Sequence, residues 1–84
     1  MTDRKSQLAQ KLLREPFDIA PRREFADLLT DDREFQEALA QWRLIAQQDP
    51  ISALAPVGAA FCLVRLGDRH GARKYLAEAR TCSD

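Results

Sequence analysis

The 84-residue chain has no asparagine, three glycines, four prolines, two cysteines and one histidine. Without asparagine there is neither an N-glycosylation acceptor nor an Asn-Gly hairpin turn. So little glycine and proline excludes a flexible linker and argues against a turn-rich all-β chain. One histidine and two distant cysteines, Cys62 and Cys82, do not make the ligand set of a metal site, and no cofactor is expected. A single cystine reaching into the last residues would be a weak scaffold for a secreted domain, so reduced thiols and a cytoplasmic setting are expected. No apolar segment follows the charges of Asp3, Arg4 and Lys5, as a secretory signal requires. Neither sign of charge is in excess, since 13 Lys and Arg balance 13 Asp and Glu. Nucleic acid and anionic membrane, which attract a basic excess, are therefore not expected as partners. The longest stretch free of charge runs only from Pro50 to Val64, too short to span a bilayer.

What is present is apolar periodicity. Hydrophobic residues make up 45% of the chain, enough for the core of one small domain. Breakers at Pro16, Pro21, Pro50, Pro56 and Gly67 divide segments whose apolar spacing is helical. Segment 3–15 carries Leu8, Leu12 and Leu13, with Thr2 or Asp3 as its cap. A second helix follows Asp18, with Pro21 in its first turn and Phe25, Ala26, Leu28 and Leu29 as its stripe. Asp31-Asp32-Arg33-Glu34 reads as a helix start, Glu34 returning a capping-box bond to Asp31. The third helix, ending near Gln48 before Asp49-Pro50, spaces Phe35, Ala38, Leu39, Trp42 and Ile45 three and four apart. A fourth is capped by Ser52 and stopped by Gly67; a fifth is capped by Asp68 and carries Ala72, Leu76 and Ala79. The expectation is an all-α fold of five helices.

Compared with itself, the chain repeats at 34 residues. Pro16 and Pro50, Ala26 and Ala60, Leu29 and Leu63, and Ala38 and Ala72 are each 34 apart. Trp42 pairs with Leu76 and Ile45 with Ala79 at the same interval, and acids Glu15 and Asp49 precede the two prolines. This pattern resembles the tetratricopeptide repeat. The small slot of the family's first helix is filled by Ala26 and Ala60, and the early alanine of its second helix by Ala38 and Ala72. Arg22 and Pro56 depart from the aromatic usual early in the first helix. The resemblance implies a right-handed, antiparallel helix-pair solenoid: a half repeat or cap over 3–15, one repeat over 17–50 and a second over 51–84.

It also implies a site. In this family the first helix of each pair lines a concave groove. By position, the groove takes Ala20, Arg23, Glu24, Asp27, Thr30 and Asp31 from the first repeat, and Leu54, Val57, Gly58, Phe61, Val64 and Arg65 from the second. The first half is polar and mostly acidic; the second is apolar save for Arg65. The residues alone support an unusual fourth helix, because 53–64 has no polar face and a helix apolar all round needs cover all round. Three covers are open: a partner protein, a second copy of the chain, or segment 3–15 folded back.

The expected function is protein–protein recognition, as adaptor, assembly factor or chaperone. The groove would take an amphipathic helix or extended peptide, with Leu54, Val57, Phe61 and Val64 as floor and Glu24, Asp27 and Asp31 favouring basic residues. The alternative is a two-fold homodimer through the same face. Family members that clamp acidic chaperone tails use Lys, Arg and Asn, and here Asn is missing and the first half is acidic. An enzyme is not expected: His70 lacks a Ser, Cys or Asp at a telling spacing, and phosphate loops are absent. The acids Glu24, Asp27, Asp31, Asp32, Glu34 and Glu37 lack the loop spacing of a Ca²⁺ cage. Arg69, Arg73, Lys74 and Arg80 read as a solvated basic side, Trp42 as core, and Gly71 as a point of close helix contact.

Overall fold

A computed structural model describes residues 3–82, in which every regular element is a helix. Thr2 and the last two residues of the second repeat lie outside this range. The helices are α1 (Arg4–Arg14), α2 (Ile19–Asp31), α3 (Phe35–Gln48), α4 (Leu54–Arg65) and α5 (Arg69–Arg80). Each packs on its neighbour in sequence, α1 on α2, α2 on α3, α3 on α4 and α4 on α5, in a body of 39 × 26 × 16 Å. None is long and apolar enough to cross a membrane.

The 34-residue period is written into the backbone. Glu15 N–H donates to Lys11 C=O at 2.8 Å, and Asp49 N–H to Ile45 C=O at 2.8 Å. Asp18 donates to Glu15 as Ser52 does to Asp49, at 3.2 and 3.3 Å. At the other type of joint, Glu34 N–H reaches Leu29 C=O at 2.9 Å, and Asp68 N–H reaches Leu63 C=O at 2.8 Å. Both are six-residue closures of the Schellman kind, which need a left-handed residue just before the closing donor. Arg33 supplies it with φ 64° and Gly67 with φ 88°.

Side-chain burial follows the same interval. Ala26, Ala60, Ala38 and Ala72 are all buried, as are Leu29, Leu63, Trp42 and Ile45. Alanine at these points lets neighbouring helix axes approach, and the larger residues fill the space beside them. In α1, Leu8 and Leu12 are buried, Leu8 lying 34 residues before Trp42.

Several local expectations are corrected. Helix α2 runs through Asp31, so the acidic run closes a helix, and α3 starts at Phe35 without a side-chain cap bond from Glu34. Leu13 is 85% exposed, because it stands about 100° around the helix from Leu12 and leaves the buried stripe. Leu76 is 45% exposed; among the described residues no helix covers α5 as α4 covers α3. Gly71 is no helix crossing. Its N–H donates the cap bond to Asp68 Oδ1 at 2.8 Å, and the neighbour of an added Cβ would be that same carboxylate. Close approach occurs instead at Gly58, where an added Cβ would lie 2.6 Å from the Trp42 ring.

Candidate functional site

Helix α4 is divided by size. Ala55, Ala59, Ala60, Cys62 and Leu63 turn inward and are buried. Leu54, Val57, Phe61 and Val64, spaced three and four apart, share the outer stripe and are 45, 46, 51 and 52% exposed. Segment 3–15 does not cover them, since α1 lies on α2. The stripe is continued by a residue of the third helix's apolar spacing that was not among the expected groove residues. Phe35, at the start of α3, meets Phe61 edge-on with centroids 6.1 Å apart, and the Arg65 guanidinium lies over the Phe35 ring at 5.6 Å. The pair adds a favourable quadrupolar contact, and the cation shields the ring from water on one side. The turn at Arg33, which delivers Phe35 here, follows no familiar sequence rule.

Helices α2 and α4 both pack on α3 and approach each other through the side chains of Thr30 and Cys62. The Trp42 indole N–H donates to Thr30 Oγ1 at 3.2 Å, and Thr30 Oγ1 lies 3.9 Å from Cys62 Sγ. On α2, Asp27 and Asp31 hold the positions 34 residues before Phe61 and Arg65. Both are exposed and, among the described residues, neither makes an ion pair. Burial by the surrounding chain, with the charge of Asp31 a turn away, raises the Asp27 carboxyl above its usual range.

Other expected groove residues are engaged elsewhere. Glu24 binds the Arg4 guanidinium of α1, including Arg4 Nη2 to Glu24 Oε1 at 2.8 Å. That contact lowers the Glu24 pKa. Positions 24 and 58 both face the preceding helix, Glu24 toward α1 and Gly58 against Trp42. Arg23 is held by Asp49 at 3.1 Å. Of the expected groove residues, the α4 stripe, Arg65, Asp27 and Asp31 remain exposed, with Phe35 packed beside Phe61.

The remaining chemistry is sparse. Cys62 is buried, and burial raises its thiol pKa, the opposite of what a nucleophile needs. Cys82 is a free thiol beside the carbonyls of Pro50 and Glu78. A hollow of about 200 Å³ there, edged by Asp49, Ser52, Glu78 and Thr81, has one of its two carboxylates already bound by Arg23. His70 is exposed in the first turn of α5. Among the described residues no three His, Cys, Asp or Glu side chains come together as a metal site would require. Comparison of the chain with family models, with curated proteins and with solved structures gives no match.

Proposed function

We propose that the chain is a small helix-pair solenoid of the tetratricopeptide type, and that its work is to hold a helix or peptide of another protein against α2 and α4. The reading rests above all on the α4 stripe. Four large apolar side chains stand about half exposed in one line, and on α2 the carboxylates Asp27 and Asp31 make no ion pair among the described residues. Full burial of a side chain of this size is worth roughly 1.5–3 kcal/mol, so covering the exposed half of each contributes roughly half of that per residue. The two acids set the ligand's polarity: apolar residues along one side, with lysine or arginine at the end that meets α2. No catalytic step belongs to this reading.

The test uses synthetic amphipathic helices with leucine at three- and four-residue spacing and lysine flanks. Binding by the intact protein and its loss in Phe61→Glu with Val64→Glu, at unchanged helicity in circular dichroism, is the expected result. If the double variant loses its helicity, the stripe is core, and the proposal fails.

A further inference from the structure

Phe35 and Trp42 are side chains by which α3 receives α4: the Phe35 ring meets Phe61, and the Trp42 ring lies where Gly58 leaves it room. At 34-residue spacing the same positions of α5 hold Arg69 and Leu76, with Arg80 in the place of Ala46. Arg73 joins them in one stripe, since steps of four, three and four residues return to the same side of a helix. All four side chains are exposed. Helix α4 packs on α5 from an adjoining side, where Ala72 is buried. A shallow hollow of about 240 Å³ on the stripe is lined by Arg73, Leu76, Ala77 and Arg80. The charge of this face is of one sign. Arg69, Arg73 and Arg80 make no ion pair among the described residues. Of the neighbouring acids, Asp68 is engaged as the helix cap by Gly71 N–H. Glu78, the one carboxylate on α5, stands about 140° or more around the helix from each of the three arginines. Helix α4 brings Arg65 and no acid.

We propose that this face of α5 is a second docking surface, and that it takes an acidic amphipathic helix of another protein, laid on α5 as α4 is laid on α3. Two observations choose that partner. The repeat puts Leu76 where the Trp42 ring meets Gly58, so the visitor presents a small residue there. Arg73 precedes Leu76 by three residues and Arg80 follows it by four. Glutamate or aspartate about one turn to either side of the small residue therefore meets a guanidinium, whose planar fork takes a carboxylate with two parallel N–H bonds. Phosphates of nucleic acid or of a bilayer also attract arginine. Here the stripe is about 16 Å long, its centre is apolar, and the chain as a whole has no net charge to draw in a polyanion. The surface shares no residue with the α2–α4 face, so a chain that uses both joins two partners of opposite charge.

The probe is a synthetic helix with alanine and leucine along one stripe and glutamate flanking it, titrated into the full chain by calorimetry and by amide chemical shifts. The wild type should bind it, with the shifts centred on residues 69–80 and an affinity that falls as salt is raised. Arg73→Gln with Arg80→Gln should weaken binding by about tenfold or more at unchanged helicity. All three arginines are exposed, so the variant keeps its fold. Arg73→Glu with Arg80→Glu should reverse the preference, the shifts of residues 69–80 then following the same helix with lysine in place of glutamate. Phe61→Glu with Val64→Glu, which disables the α2–α4 face, should bind the glutamate-flanked helix as wild type does. A wild type that does not bind this helix overturns the proposal. So does binding that ignores the arginines, or whose shifts centre on the α4 stripe. Two further arms test the other polyanions: a single-stranded oligonucleotide, and vesicles of phosphatidylserine in phosphatidylcholine. If either holds the arginine face more tightly than the helix does, the partner is of another class and the proposal fails. Failure of the lysine-flanked helix to bind the α2–α4 face removes that reading and leaves this one standing.

Discussion

Arg33 and Gly67 perform the same turn with different chemistry. Both close a helix with a left-handed backbone, φ 64° and 88°. A Cβ there costs roughly 1–2 kcal/mol. Arg33 already bears that cost and Gly67 does not. Gly67→Ala should therefore lower stability by about 1 kcal/mol in urea denaturation, while Arg33→Ala should stay within about 0.5 kcal/mol of wild type. Gly58 is sensitive for a different reason, since the atoms an added Cβ would strike belong to the rigid, buried Trp42 ring. Gly58→Ala should lose about 1–3 kcal/mol by the same assay. The buried alanines were legible in the sequence because their interval repeats. The glycines were not. Whether a helical glycine admits a neighbouring helix or merely follows a cap depends on what lies across from it. That separates Gly58 from Gly71, and the sequence alone does not show it.

At the scale of helices, α3 and α5 are copies of one another with opposite outer faces. Where α3 carries Phe35, Leu39, Trp42 and Ala46, α5 carries Arg69, Arg73, Leu76 and Arg80 at 34-residue spacing. The first set is buried or partly buried and the second exposed. The arginines keep that face hydrated. Arg73→Leu with Arg80→Ala should turn it apolar, and increased binding of a hydrophobic dye with unchanged helicity would register the change. The number and order of the helices were legible from breakers and periodicity. The α2–α3 boundary was not, because an acidic run before an apolar one resembles a helix start, whereas the turn is made by an arginine in a conformation arginine rarely adopts. Leu13 and Leu76 were misplaced for a related reason: periodicity identifies a stripe, but burial also needs an opposing element.

For the whole molecule, the α4 stripe was the most legible part of the candidate site, since a helix without a polar face announces a covering requirement. The acidic half was less so. Glu24 and Arg23 are drawn off by Arg4 and Asp49, long-range pairings that no spacing rule encodes. The main packing, meanwhile, runs only between sequence neighbours: α1 on α2, and so on to α5. In such a molecule stability is not shared evenly. An inner helix is clasped on two sides and an outer one on a single side. Amide hydrogen exchange should therefore form a gradient, slowest in α3 and α4 and fastest in α1, whose hold on α2 combines Leu8 and Leu12 with the exposed pairs of Arg4 and Lys5. Uniform protection across all five helices would contradict it. The molecule should come apart as a zip does, from an end inward, with its first helix lifting away while the other four stay closed.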